Sequence, residues 1–205
     1  MFQREIIPFT TEEAWLAHRV HDLTSSDVPG LFGVGYQSYD GLLQCKLSKI
    51  SAPFKDDERK QSGKCLEPAI AVEFAKQNKW TIRRKDEYIR IPELRLASSF
   101  DYEISHEDVN NSPDGNELLE VKNVDYFIYK KTWINTGFEI QATPYIEIQL
   151  QNELLVSGLK VGYIGALVGG NQWICLRRDA NKKIQNAILI KSAEFWRRID
   201  EARKT

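Results

Sequence analysis

Glu120, Val121 and Lys122 form an acid-x-lysine triplet inside the apolar stretch Glu117–Val124, and a second embedded acid, Asp101, precedes it in Ser99-Phe100-Asp101-Tyr102-Glu103-Ile104. On an extended chain alternate side chains share a face, so Glu120 and Lys122 point the same way with α-carbons roughly 6–7 Å apart. Val121 points into the core. Two neighbouring carboxylates suit Mg²⁺, a hard cation that prefers oxygen ligands and keeps several waters. A lysine ammonium beside them can orient or deprotonate an attacking water. The combination suggests metal-dependent phosphodiester cleavage.

The triplet alone is weak, because Glu-x-Lys should arise roughly once in a chain of this length. Glu58-Arg59-Lys60 repeats the spacing inside the polar run 55–61, which reads as a solvated helix face or loop. The later triplet differs in being bounded by apolar residues and entered through the turn residues Ser112-Pro113-Asp114-Gly115-Asn116.

The chain has 205 residues, 42% hydrophobic and 28% charged, which is enough for one substantial core and implies a single domain over 1–205. No apolar run is long enough to span a membrane, and the N-terminus carries no secretory pattern, so a cytoplasmic protein without membrane partners is expected. Cys45, Cys65 and Cys175 are odd in number and scattered, which argues against a disulfide framework, a zinc knuckle or an iron–sulfur cluster. The net charge of −1 gives no bulk signal for nucleic acid. Local basic groups at 83–85, 130–131, 177–178, 182–183 and 197–198 could still meet phosphates, although each alone reads as ordinary surface charge.

Thr10-Thr11-Glu12-Glu13 predicts a helix start, followed by a hydroxyl-rich turn over Leu23–Asp27. The stretches 28–41 and 107–116 read as loops. A helix is expected near 56–78, with Leu66, Ile70 and Phe74 at helical spacing in its latter half and Pro68 in its first turn or kinking it. Three strands, 81–91, 94–104 and 118–124, would form a meander with Asp101 on the second and Glu120 and Lys122 on the third. A short helix over 126–133, a Thr143-capped helix ending at Gly158, strands 160–167 and 172–178 and a terminal helix 180–203 complete the pattern.

Two further residues could join the acids. Glu67 lies on the helix before the meander and could supply another carboxylate, although a lone helical Glu is ordinarily surface charge. On the Thr143-capped helix, counting 100° per residue from Ile146 leaves Gln149 about 60° from the buried stripe and Gln151 about 140° away. Gln149 is therefore expected inward and Gln151 outward. A neutral amide at a metal site can hold the lysine or the water without adding charge.

Five blocks carry a resemblance: Trp15-Leu16-Ala17-His18-Arg19 with Leu23-Thr24-Ser25-Ser26-Asp27, Gly63-Lys64-Cys65-Leu66-Glu67-Pro68, Ala97-Ser98-Ser99-Phe100-Asp101, Leu119-Glu120-Val121-Lys122, and Tyr145-Ile146-Glu147-Ile148-Gln149-Leu150-Gln151. In this order they resemble the YqaJ-type viral recombinase family, which includes phage lambda exonuclease and has the PD-(D/E)XK fold. The resemblance implies an α/β protein with a restriction-endonuclease-like core, a central mixed β-sheet flanked by helices. It also implies a Mg²⁺-dependent, processive 5′→3′ exonuclease on double-stranded DNA that leaves 3′ overhangs, with two ions per site and Mn²⁺ able to substitute.

By matching positions, Asp101 and Glu120 would be metal ligands with the Val121 carbonyl, and Glu67 would hold a metal or its water. Lys122 would orient or activate the nucleophile, Gln149 would support it, and Arg19 and Ser26 would grip the 5′ phosphate. A guanidinium fork with a hydroxyl suits such a doubly charged end. Gly30–Tyr36 brings none of the basic residues expected in that pocket. The resemblance further implies a homotrimeric ring around DNA, a single-strand annealing protein as partner, and a phage or prophage origin in a bacterial cytoplasm.

Two rival readings remain from the residues: an endonuclease or repair nuclease of the same fold, and a DNA-binding module without catalysis. The presence of Asp101, Glu120 and Lys122 together disfavours the latter. His18 and His21, spaced i, i+3, could bind zinc only with ligands that the sequence does not identify.

Overall fold

Leucine and valine alternate with Glu120 and Lys122 along 117–124, and this segment becomes the centre of a sheet rather than its edge. A computed structural model describes residues 2–49, 58–105 and 116–204. The chain runs β1 (Glu5–Pro8), α1 (Glu12–Arg19), β2 (Leu23–Thr24), a 3-10 turn (Val28–Phe32), α2 (Tyr39–Ser48) and α3 (Glu58–Asn78). It continues through β3 (Thr81–Arg84), β4 (Glu87–Ile91), β5 (Leu96–Ser98), β6 (Tyr102–Ser105), β7 (Glu117–Val124), α4 (Tyr126–Thr132), β8 (Ile134–Asn135) and β9 (Ile140–Gln141). The last elements are α5 (Pro144–Ser157), β10 (Val161–Val168), β11 (Gln172–Asp179) and α6 (Lys182–Ala202).

Five strands form the main sheet in the order β11-β10-β7-β6-β3. Among the described residues of this sheet only β7 and β10 pair in parallel; the other neighbours are antiparallel, so the sheet is mixed. Parallel partners need a crossover, and α4 to α5 supply it. A smaller sheet has the order β1-β4-β5-β2. Leu119 and Val121 face α3, whose Ile70 and Phe74, four residues apart, pack on them. Gly165 of β10 permits this approach, because a Cβ there would meet the Phe74 ring at 2.8 Å. The opposite face is covered by α5 and α6 around Leu118, Leu150, Ile164 and Phe195.

The three-strand meander is corrected. Segments 81–91 and 94–104 form one bent hairpin shared between two sheets: its tip strands β4 and β5 pair in the small sheet, while β3 and β6 pair in the large one. The bend is fixed where Lys85 N–H donates to the Asp101 carbonyl and Lys85 Nζ bridges Glu87 and Glu103. Asp101 therefore lies in the crossing between β5 and β6, not on a strand.

The loop expected over 28–41 is also corrected: Val28–Leu31 are buried in the 3-10 turn, and α2 begins at Tyr39 under a Ser38 cap. The turn expected over 107–116 falls, apart from Asn116, outside the described residues. Pro68 lies within α3 and donates no bond to the preceding turn. The Glu58-Arg59-Lys60 copy of the triplet is an exposed stretch opening that helix.

Gln151 was expected to face outward and does not. It is 3% exposed, its amide donates to the Asp179 carbonyl at 2.9 Å, and its oxygen accepts from Asn181 N–H at 2.7 Å. The count from Ile146 assumes a helix with a wet side, whereas α5 is buried continuously from Gln149 to Val156 among β4, β5, β10 and α6. Thr143 caps its start, and Gly158, at φ +81°, ends it in the left-handed conformation that a glycine adopts at little cost.

Candidate active site

β6 pairs with β7 only as far as Tyr102 opposite Leu119, so beyond that point β7 has an open flank. Val121 N–H turns into the opening and donates to Asp101 Oδ2 at 2.8 Å. The N–H and C=O of one extended residue lie on the same side, so the Val121 carbonyl faces the opening too. Asp101 is thus brought to Val121 by a hydrogen bond rather than by a strand ladder.

Glu120 projects from the α5 side of β7 and is 3% exposed. Its Oε1 accepts from Lys122 Nζ and, at 2.5 Å, from the Gln149 amide. Lys122 Nζ also reaches Gln149 Oε1 at 3.3 Å. The Gln149 amide donates in addition to Glu153 Oε1 at 2.9 Å. Glu120 Oε2 is buried and has no hydrogen-bond partner among the described residues.

Charge is crowded here. Burial, then Glu120 and Glu67, push the Asp101 carboxyl well above the usual range, against the pull of Lys122 and the Val121 N–H. Burial, opposed most strongly by Arg84, also raises Glu67, with Glu120 adding repulsion. For Lys122 burial works the other way, yet the Glu120 carboxylate, with Tyr145 and Asp101 beyond it, holds the ammonium above its ordinary value. Lys122, with Arg84 acting on Glu67, leaves the Asp101 and Glu67 carboxyls still raised.

Among the described residues no three of His, Cys, Asp and Glu stand as a ready-made coordination group, and the Lys122 ammonium occupies one oxygen of Glu120. The donor chemistry nevertheless fits a hard divalent cation: crowded carboxylates, a buried Glu120 oxygen without a partner, and a backbone carbonyl at the same opening.

A second group of residues lies against this one. Arg19, at the end of α1, donates from Nη2 to Ser26 Oγ at 2.6 Å and to Thr24 Oγ1 at 3.0 Å, and its guanidinium stacks over Trp15 at 4.4 Å. Trp15 is itself fixed by a 3.0 Å bond from its indole N–H to Ser99 Oγ. The turn after β2 is pinned from two sides. Lys46 of α2 donates to the carbonyls of Arg19 and Asp22, both at 2.7 Å, and to Asp27 at 3.0 Å. Asn152 of α5 donates to Ser25 Oγ at 2.9 Å.

A cavity of about 160 Å³ joins the two groups, lined by Arg19, Thr24 and Ser26 together with Asp101, Glu120 and Gln149. Lys122 meets it through Glu120 and Gln149, while Glu67 comes from α3 on the other face of the sheet. Two roomier hollows, of about 380 and 400 Å³, contain none of these residues. His18 stacks on Tyr88 and His21 is exposed, and among the described residues they belong to no metal cluster. Of the basic groups, Arg178 is held by Glu147 and Lys85 by Glu87 and Glu103, so part of the local positive charge is already matched.

Glu153, Lys46, Asn152 and Trp15 were not found from sequence. Glu153 was legible: seven residues from Ile146 is 700°, which leaves it about 20° from the same stripe used for Gln149. Lys46 gave no signal, because a lone lysine on a helix ordinarily reads as surface charge.

A model of the YqaJ-like viral recombinase domain matches residues 14–160. The chain belongs to this family. Membership implies a nuclease. An alkaline exonuclease (LHK-Exo) from Laribacter hongkongensis has a similar structure, with a TM-score of 0.72 at 17% identity over 93% of each chain. Its complex with dAMP matches equally, with a TM-score of 0.72 at 18% identity over 93% of each chain. A phage related exonuclease from Haemophilus somnus 129PT has a TM-score of 0.59 at 11% identity, covering 89% of this chain and 95% of that one. At these identities the likeness establishes the nuclease fold. No curated protein sequence matches the chain. Among the described residues no helix is long and apolar enough to cross a membrane.

Proposed function

We propose that the chain, as one domain over residues 1–205, is a Mg²⁺-dependent exonuclease that degrades double-stranded DNA from 5′ ends. The 3′ strand it leaves would pass to a single-strand annealing protein for recombination. The observation that carries this reading is the shared cavity, where a guanidinium and two hydroxyls suited to a terminal phosphate open onto the Asp101 and Glu120 carboxylates. An anion grip beside the acids favours an enzyme that starts at an end. The solved relatives named as exonucleases are consistent with this.

In the proposed mechanism Arg19 forks onto two oxygens of the 5′ phosphate while Ser26 and Thr24, whose hydroxyls now meet each other and Arg19, turn their protons to it. Asp101, Glu120 and the Val121 carbonyl would hold the cation, and Glu67 would hold a second ion or its water. When bound, Mg²⁺, at two ions per site and replaceable by Mn²⁺, neutralises charge developing on the phosphate oxygens and lowers the pKa of the attacking water. Lys122 donates to that water and orients it. Gln149 holds the lysine head group in place without adding charge. A ring of three subunits would keep the duplex threaded.

Digestion of linear 5′-phosphorylated, linear 5′-hydroxyl and covalently closed circular duplex with Mg²⁺ tests the reading. Linear phosphorylated DNA should disappear fastest, circles should survive, and Lys122→Ala should lower the rate by about 10²-fold or more. Cut circles would make it an endonuclease. No cutting with Mg²⁺ or Mn²⁺ would leave a binding module.

A further inference from the structure

Glu153 takes no part in the mechanism just described, yet it is fully buried at 0% exposure, one turn beyond Gln149 on α5. Its Oε1 accepts from the Gln149 amide at 2.9 Å, and its Oε2 is buried with no partner among the described residues. A carboxyl group in such a place costs stability, since an unpaired buried polar atom forfeits its hydration. Nothing in the packing of α5 requires it, because Leu150, Leu154 and Val156 fill the neighbouring core with hydrocarbon.

The chemistry of its partner supplies a reason. Gln149 touches three groups: Glu120 Oε1 and Glu153 Oε1 through Nε2, and Lys122 Nζ through Oε1. The Glu120 carboxylate only accepts and the Lys122 ammonium only donates, so these two fix a single orientation of the amide, and that orientation turns its second N–H to Glu153. Each of the two N–H bonds then has its own carboxyl acceptor. With Glu153 gone, one N–H would be left unpaired in the core and the amide would keep only its bonds to Glu120 and Lys122.

We propose that Glu153 is a positioning residue that locks the Gln149 amide, so that its oxygen is presented to Lys122 and its NH₂ to Glu120. The inference rests on the nuclease reading for its catalytic consequence, but not for its structural one. Burial, followed by the nearby Glu120, pushes the Glu153 carboxyl well above the usual range, and a neutral acid still offers an acceptor to Gln149. Glutamine is the isostere of that neutral form and should substitute for it, whereas methionine matches the length and offers no comparable acceptor.

The test compares Glu153→Met with Glu153→Gln in two arms, with thermal denaturation to establish that both variants fold. In the metal-free protein the side-chain amide signals of Gln149, assigned by their loss in Gln149→Leu, are followed by ¹⁵N–¹H NMR. Dispersed, slowly exchanging amide protons in the wild type should move toward free-amide positions and exchange faster in Glu153→Met, and should stay near the wild-type pattern in Glu153→Gln. In the second arm kcat on linear 5′-phosphorylated duplex should fall about tenfold or more in Glu153→Met with KM little changed, as for the loss of an orienting partner behind a catalytic group. Glu153→Gln should restore most of it.

Unchanged amide signals in Glu153→Met would overturn the proposal. So would an equal loss of kcat in both variants, which would point to charge instead of orientation. A wild type that cuts no DNA while the amide signals respond as expected would remove the nuclease reading and keep the lock.

Discussion

Arg19 and Ser26 are 2.6 Å apart at the mouth of the cavity, and the guanidinium reaches Thr24 from the same nitrogen. Lysine can replace the charge there but not the planar fork or the stacking on Trp15. Arg19→Lys is therefore expected to lower the preference for 5′-phosphorylated over 5′-hydroxyl duplex by about tenfold, the worth of one charge-assisted hydrogen bond. Competition between the two ends in one digestion measures it; an unchanged preference would take the phosphate away from Arg19. The triplet was legible at this scale because a two-residue repeat on a strand fixes which side chains share a face. The Gln149–Glu153 link was harder to see, since a buried acid contradicts the usual expectation that Glu lies outside.

At the scale of elements, the turn after β2 is held to α2 by Lys46 and Asp27, whose side chains are 7% and 14% exposed. Burial raises the Asp27 carboxyl, but Lys46, Arg19 and the Thr24 N–H together outweigh it and leave its pKa below the ordinary 3.8. A carboxylate depressed in the folded state contributes stability that is fully present above the unfolded value and is lost as pH falls through the folded one. Asp27→Asn should thus cost about 3 kcal/mol at neutral pH, by stranding the Lys46 charge. Urea titrations at pH 7 and at a falling series of pH values below 3.8 should find the gap to wild type narrowing as acid protonates Asp27 in the latter. A constant gap would assign the loss to packing. The bent hairpin belongs to this scale as well: strand propensity alone made 81–91 and 94–104 continuous, because a bend between two sheets leaves no mark on residue alternation.

For the whole molecule, a net charge of −1 must be reconciled with a polyanionic substrate. Several basic residues are matched within the chain, including Arg178 by Glu147 and Arg95 by Asp200. Assembly into a ring would concentrate the remainder on an inner surface. Light scattering after gel filtration should give the mass of three chains, and the dissociated form should lose processivity before it loses single-cut activity. A monomeric mass under conditions of full activity would retire the ring.

The sequence by itself determined the parts that depend on local chemistry. Thr11 and Thr143 start helices because their hydroxyls accept backbone N–H groups, Gly158 ends one because it tolerates a positive φ, and the 117–124 strand follows from alternation. Ordered motifs along the chain also sufficed for the family and the mixed sheet. Only the tertiary structure decided what depends on two faces meeting: that Asp101 reaches Val121 from a crossing between sheets, that Gln151 is buried, and that Lys46 supports Arg19 from 27 residues away. Periodicity reports one helix face against water, whereas α5 is enclosed on nearly every side. That enclosure is set by elements distant in sequence.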